Sequence, residues 1–215
     1  MLSVASKNLA YVCPSTLGDF ESICTGAIFK DKDTIVLDSL SAMVKTFIRE
    51  YAISMPRRGV DSPKRKAGVP ELDDYMVIAE VTRRLLSALL DLDKNIIVTA
   101  LEKSEKDENG AVTGIGPDLP GQLFLGAPAL FDAAFYLKTR SKLRKLGDPL
   151  SRYTEHYLVT TNDGLHVGKN RANVNGVPPL APEEVFDIQT GQGDFNYVYS
   201  KILAGYSAAK AIPAA

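Results

Sequence analysis

Residues 163–171 read Asp-Gly-Leu-His-Val-Gly-Lys-Asn-Arg, and a Gly-Lys pair behind an earlier glycine invites a phosphate-binding reading. A phosphate loop is G-x-x-x-x-G-K-[S/T] between a buried strand and a helix. Its backbone N–H groups cradle phosphates and its hydroxyl holds Mg2+. The stretch fails on spacing, chemistry and context. Gly164 and Gly168 stand one residue too close, and Asn170 sits where a hydroxyl is needed. The following RANVNGVPP cannot start a helix. No other stretch of the chain satisfies the pattern. Lys169 and Arg171 therefore need another account. On an extended segment, residues two apart point to the same side. They read either as a solvated strand end or as a cation pair that reaches a phosphate or carboxylate on a partner.

A second chemical feature is Asp38, at the end of the β-branched run TIVLDSL. An acid there sits at the carboxyl edge of a parallel sheet, where open α/β sheets bind ligands. In nucleotide hydrolases such an acid holds Mg2+. Its structural alternative is a helix N-cap, a role open to Asp38 or Ser39. A third feature is the stretch PRRGVDSPKRKAGVP, with Arg57, Arg58, Lys64, Arg65 and Lys66 in one loop. Such a loop either contacts phosphates without reading sequence or keeps a surface solvated. It holds no aromatic residue, so stacking there is not supported.

The elements that must position these residues follow from periodicity. TIVLDSL and NIIVTA (residues 95–100) suit central strands buried on both faces. Ser39 to about Tyr51 reads helical, with Leu40, Val44, Phe47 and Ile48 on one stripe. Residues 71–91 are expected to form a helix whose stripe is Leu72, Tyr75, Met76, Ala79, Thr82, Leu86, Leu89 and Leu90, with Pro70 in its first turn. The charged and then Gly/Pro-rich run 101–122 reads as a long loop, and residues 129–138 as a strand or a short helix and strand. Residues 153–161 alternate as a strand, Asn162-Asp163-Gly164 reads as a hairpin turn, and 165–168 is expected to pair back. Met1–Val12 reads as a strand, and the last thirty residues as a helix and a tail. Strands alternating with helices give an α/β fold with a mainly parallel central sheet flanked by helices, closed by a C-terminal β-hairpin.

Bulk properties narrow the class. The chain has 215 residues, 45% of them hydrophobic, and a net charge of −1. That suits one sizeable core, and it leaves any basic site as a local patch. The expected organisation is a single core over 1–205 with a tail over 206–215. Cys13 and Cys24 have no metal-type spacing, and two histidines do not make an ordinary zinc site. Reduced thiols fit a cytoplasmic protein, and no apolar run has membrane-spanning length. A small-molecule enzyme on a doubly wound sheet would need a G-x-G-x-x-G, a nucleophile elbow or a Cys–His pair with context, and none is found.

Taken in order, TIVLDSLSAM, the basic loop, PELDDY, NIIVTALEK, GPDLPGQ, LFDAAFYLK and GKNR resemble the RecA-core ATPases carried by bacteriophages, over roughly residues 1–190. The resemblance implies a RecA-like core that binds ATP and Mg2+. It makes Asp38 the Walker B acid and metal-holding residue, Ser39 its hydroxyl neighbour, and Thr99 the polar sensor of the γ-phosphate, with Glu102 close by. It makes the loop bearing Arg57, Arg58, Lys64, Arg65 and Lys66 the first DNA-facing loop and residues 103–121 the second. GKNR is similar to the K-x-R element through which Lys169 and Arg171 reach a neighbouring subunit's nucleotide. The implied partners are single-stranded DNA, further copies in a ring or filament, and a phage single-strand-binding protein, in the host cytoplasm. The implied activity is ATP-dependent annealing or strand exchange.

Two departures accompany the resemblance. The family's phosphate loop precedes the strand expected at residues 2–5, and Ser6 and Lys7 stand where a catalytic acid is usual. A truncated sequence, a loop supplied by a partner, or a core that no longer hydrolyses ATP would each account for this. The last gives the alternative function: a silent RecA-fold assembly module.

Overall fold

The computed structural model describes residues 12–25, 29–55, 68–144, 147–170, 180–186 and 200. Its contacts divide the chain into two compact units, one up to Leu101 and one from Glu102.

In the first unit, α1 (Leu17–Thr25) is started by side chains. Asp19 accepts from the Ser15 and Thr16 amides, while Thr16 Oγ1 accepts from the Asp19 amide. This reciprocal arrangement satisfies donors that a helix start leaves open. Leu17, Phe20 and Cys24 are buried from this helix. Burial, with Glu21 nearby, pushes the Cys24 thiol up to about 11, so it stays protonated. β1 (Thr34–Leu37) and β2 (Asn95–Val98) pair in parallel, with Thr34 opposite Asn95 and Leu37 opposite Val98.

Between them runs a helical segment, α2 (Leu40–Met43), a wider π-turn (Val44–Ile48) and α3 (Arg49–Ser54). Then comes α4 (Leu72–Leu90). Parallel strands require such a crossover. The first turn of α4 carries Asp73 and Asp74, which suits the positive end of the helix dipole. Asp74 is buried and accepts from the Glu71 amide at 2.8 Å. Pro70 lies outside the helix, one residue before its N-cap Glu71. The apolar stripe keeps the expected Thr82, Leu86 and Leu89 but departs from the expected one in the first turns. Ile78, Val81, Leu85, Leu86 and Leu89 are buried, while Leu72, Tyr75 and Met76 are exposed. Both stripes have helical spacing, and the packing partners α1 and α3 decide which one is covered.

The second unit is antiparallel in its strand pairings. β3 (Glu102–Lys106) and β4 (Val112–Pro117) form a hairpin, with a register shift at Glu105/Lys106. Asp107 closes its tip by accepting from the Asn109 and Ala111 amides. Half of the run expected as a long loop is therefore strand. The hairpin's charged residues lie on β3 and at the tip, where Gly110 turns the chain at a φ of +82°, and Gly116 serves packing: a Cβ there would stand 2.8 Å from the Phe124 ring. α5 (Leu123–Leu130) follows, then β5 (Ala133–Ala134) and β6 (Tyr136–Leu143), which matches the helix-and-strand alternative. β6 pairs with β7 (Arg152–Val159), and β7 with β9 (Glu183–Phe186). β8 (Lys169–Asn170) pairs with β5.

Two expectations are corrected here. The chain is α/β, but among the described residues parallel strand pairing is confined to β1 and β2. The hairpin is β6–β7, closed before Arg152, and Leu165–Gly168 does not pair back on β7. Instead His166 bridges Ile115 of β4. The Asn-Asp-Gly signal was a turn, but its side chains bind their own loop rather than closing two strands. Residues 1–11 and 201–215 lie outside the described residues, as does nearly all of the segment read as a C-terminal helix.

Candidate functional site

The β1–β2 register decides what stands at the carboxyl edge. Leu37 and Val98 are partners, so the next residues, Asp38 and Thr99, leave the sheet side by side. Backbone bonds hold this exit: the Thr99 amide donates to Leu37 O at 3.0 Å, and the Leu40 amide donates to Thr99 O at 2.9 Å. The Asp38–Ser39 peptide bond is cis. Both polar side chains are exposed, and Thr99 Oγ1 donates to Asp38 Oδ1 at 2.5 Å. The charged acceptor explains a bond shorter than a neutral one.

Ser39 resolves the competition over the helix cap. Its Oγ accepts from the Ala42 amide at 3.2 Å, so Ser39 caps α2 while Asp38 faces Thr99. Ser41 was missed by sequence reasoning. It is fully buried, and its Oγ accepts from the Leu101 amide at 3.0 Å, tying the chain after β2 to α2. Its only signal was a second serine in LDSLSA, too common a pattern to single out.

This edge offers one carboxylate flanked by a hydroxyl. No group of three or more His, Cys, Asp or Glu that could hold a metal occurs among the described residues. The donor set is too sparse for a dedicated cage. It suits a Mg2+ that takes most of its ligands from water and phosphate oxygens, and Asp38 is the residue that would hold it.

In the second unit, Lys169 lies on β8 and its Nζ donates to Ala129 O at 2.8 Å, near the end of α5. Arg171, its companion in GKNR, lies outside the described residues, so the shared-side expectation is not tested. Arg57, Arg58, Lys64, Arg65 and Lys66 also lie outside them. Glu102 opens β3, where its carboxylate bonds the Tyr136 hydroxyl; burial and then Glu102 raise the Tyr136 pKa.

Lys169 is paired on β8 with Ala134 of β5, and the residues before it form a tight loop that sequence reasoning took for a hairpin turn. Asp163 Oδ1 accepts from the Leu165 amide at 3.0 Å and the His166 amide at 2.7 Å. Its Oδ2 lies 2.6 Å from His166 Nδ1. The His166 amide, above all, holds the Asp163 carboxyl down at about 2, against burial that pushes the other way. An ionised Asp163 can only accept, so His166 Nδ1 carries the proton of this bond. The His166 ring is buried against Tyr136, with centroids 4.7 Å apart, and Nε2 has no partner among the described residues. Gly168 closes the loop: a Cβ there would lie 2.4 Å from Thr161 O. Asp163, three residues before a histidine, was the available signal, but Asn-Asp-Gly carried the stronger hairpin reading.

No helix among the described residues is long and apolar enough to cross a membrane. No curated protein and no solved structure matches the chain. A family model described as an AAA domain matches residues 9–172, well over half of the chain, including β1, β2, Asp38, Thr99 and Lys169. The chain therefore belongs to the AAA-domain family, whose members are P-loop, nucleotide-binding ATPases.

Proposed function

We propose that the protein is a RecA-like ATPase of the phage recombination type, which binds single-stranded DNA and promotes annealing or strand exchange. The observation that carries this reading is the Asp38–Thr99 pair at the carboxyl edge of parallel β1 and β2. On this reading the nucleotide lies at that edge with Mg2+ beside Asp38. ATP supplies the phosphoryl group to be transferred, and Mg2+ neutralises charge as it departs.

Asp38 would hold a bound Mg2+ through its anionic oxygens. Thr99 holds Asp38 in place through its hydroxyl proton, and its oxygen lone pairs remain able to accept from a water beside the γ-phosphate. Ser39 keeps the helix start fixed by capping it. Lys169 and Arg171 deliver positive charge to a neighbouring subunit's nucleotide, which requires head-to-tail contacts in a ring or filament. The loop bearing Arg57, Arg58, Lys64, Arg65 and Lys66 contacts DNA phosphates. The hairpin β3–β4 is a poor second DNA loop, because Glu102, Glu105, Asp107 and Glu108 outnumber Lys103 and Lys106 on it. A phage single-strand-binding protein is the expected companion, in the host cytoplasm.

One feature favours the silent assembly module as the second reading: the sequence contains no G-x-x-x-x-G-K-[S/T]. Turnover needs a phosphate cradle in addition to the edge described. The two readings separate in one experiment. Thermal stabilisation by Mg-ATP and DNA-stimulated ATP hydrolysis are measured for the chain and for Asp38→Asn. Binding with turnover that Asp38→Asn abolishes supports the ATPase. Stabilisation without turnover supports the silent module, and neither effect would sink nucleotide binding at this edge.

A further inference from the structure

The face of β6 that carries Tyr136 also carries Lys138, Arg140 and Lys142, because side chains alternate along a strand. Arg144 continues the spacing one step past the strand end. Opposite them on β7, in register, stand Tyr157 across from Lys138, Glu155 across from Arg140, and Tyr153 across from Lys142. Directly opposed residues of an antiparallel pair share a face. Cations and tyrosines are thus interleaved across two strands.

The contacts are specific. Lys138 Nζ lies over the Tyr136 ring at 5.3 Å, the Arg140 guanidinium over Tyr157 at 4.4 Å, and the Arg144 guanidinium over Tyr153 at 5.5 Å. Arg140 also pairs with Glu155 at 2.5 Å and Glu183 at 2.7 Å, and Lys142 pairs with Glu155 at 3.0 Å. The layering matters. The Glu155 side chain is 8% exposed, whereas Arg140 is 34% and Lys142 44% exposed. Glu155 lies beneath the cations, and Glu183, 47% exposed, flanks Arg140 from β9, so four cations stand against two acids on this face although the chain as a whole has a net charge of −1. Burial raises the Glu155 pKa, but Lys142 and Arg140 outweigh it and keep the group ionised. Glu155 therefore acts as a fixed counter-charge that holds two cations at a set spacing.

We propose that this β6–β7 face binds single-stranded nucleic acid, as a contact surface separate from the basic loop at residues 57–66. Residues two apart on a strand are spaced by about 6.6 Å, so Lys138, Arg140, Lys142 and Arg144 form a regular row that tracks a backbone of repeated phosphates. Tyr153 and Tyr157 lie between them, each covered on one side by a guanidinium, and these Arg–Tyr stacks offer bases a planar cationic surface. Cationic grooves with interleaved aromatics are how sequence-tolerant single-strand binders work. An acidic peptide would use the row of cations but leave the tyrosines without a role, so the aromatic spacing favours nucleic acid. This adds a second surface to the DNA-binding part of the proposed function and does not require that the chain hydrolyse ATP.

The test uses the full chain and a labelled oligothymidylate, with binding followed by anisotropy over a range of salt. Lys138→Ala/Lys142→Ala is expected to lower the slope of log affinity against log salt by about 1.4, two phosphate contacts at about 0.7 each. Lys138→Arg/Lys142→Arg is expected to keep it. Tyr153→Leu/Tyr157→Leu is expected to weaken binding of the base-bearing strand by about tenfold or more and that of an abasic strand little. A variant with Arg57, Arg58, Lys64, Arg65 and Lys66 all replaced by Ala is expected to retain binding that Lys138→Ala/Lys142→Ala then removes. If the Ala pair does not melt cooperatively, Lys138→Gln/Lys142→Gln replaces it. An unchanged salt slope in a folded pair variant overturns the proposal. So does equal tyrosine sensitivity on abasic strand, or tighter binding of polyglutamate than of oligothymidylate. Loss of ATP turnover in Asp38→Asn with the β6–β7 dependence intact would separate this surface from the nucleotide site.

Discussion

The edge of β1–β2 and the loop 161–168 both present a polar residue that the family resemblance gives a role, yet they are built in opposite ways. Asp38 and Thr99 meet because two strands pair in register and each continues by one residue. Backbone geometry does the placing, and the side chains add one hydrogen bond. Lys169 stands on the two-residue strand β8, paired with β5, and the loop that leads into it has no regular backbone pairing of its own apart from the single bridge to β4. There the carboxylate of Asp163 binds two amides and an imidazole, and Gly168 allows a contact that no other residue fits. The first design tolerates changes in its neighbours, since every strand residue shares the load. The second concentrates it on two or three side chains.

Four changes would break or sharpen this contrast. The largest effect is expected on activity at the strand edge. Asp38→Asn keeps the size and the Thr99 partner but loses the charge, and ATP turnover should fall by about a hundredfold or more, with little change in melting temperature. Steady-state hydrolysis alongside a thermal melt checks both halves. A melting loss as large as the loop's would erase the distinction between the two designs.

Next comes Gly168→Ala. The added Cβ meets backbone rather than a side chain that could rotate away, so stability should drop by about 2–3 kcal/mol, read from denaturant unfolding. Asp163→Asn should follow at about 1.5 kcal/mol or somewhat more, because charged acceptor bonds to two amides are weakened. The same variant should speed hydrogen exchange at the Leu165 and His166 amides while leaving that of Thr99 unchanged.

The smallest effect concerns acid. The Asp163 carboxyl is held at about 2, below its ordinary value of 3.8. A depressed carboxyl stabilises the fold above its unfolded pKa, and that contribution is lost as pH falls through the folded one. Wild type should therefore lose stability between about pH 4 and pH 2 in a way that Asp163→Asn does not. Melting both proteins across that interval measures the difference. Parallel losses would place the acid sensitivity elsewhere.

The contrast also explains what could be read in advance. The strands TIVL and NIIV were legible in place because continuous apolar runs bounded by charge suit a strand, but not in burial: they are not covered on both faces, and Val36 is 56% exposed. With them came Asp38 and Thr99, one residue beyond each strand. The helix over residues 72–90 was legible in extent, and in facing from Thr82 onward, where Thr82, Leu86 and Leu89 are buried, but not in its first turns, where Leu72, Tyr75 and Met76 keep helical spacing yet are exposed. The run after residue 101 misled for a different reason. β3 carries charge on both faces and loses the alternation that would reveal it, and β4 is interrupted by Gly114 and Gly116. The cation row on β6 was in plain view as KTRSKLR. It gained meaning only once β7 placed Tyr157 and Tyr153 opposite.

The sequence by itself determined the α/β class, the two parallel strands with the acid and hydroxyl at their ends, and the absence of a phosphate-loop pattern in these 215 residues. These rest on local propensity and on a period of two or 3.6, which neighbouring residues suffice to set. Only the tertiary structure decided that Ser39 rather than Asp38 caps the helix, that His166 is buried against Tyr136, and that Asp163 braces the loop before Lys169. It alone raised Arg140 and Lys142 above Glu155. Each of these turns on which partner a polar group finds across the chain, and a polar group in a sequence has many possible partners until packing leaves it one.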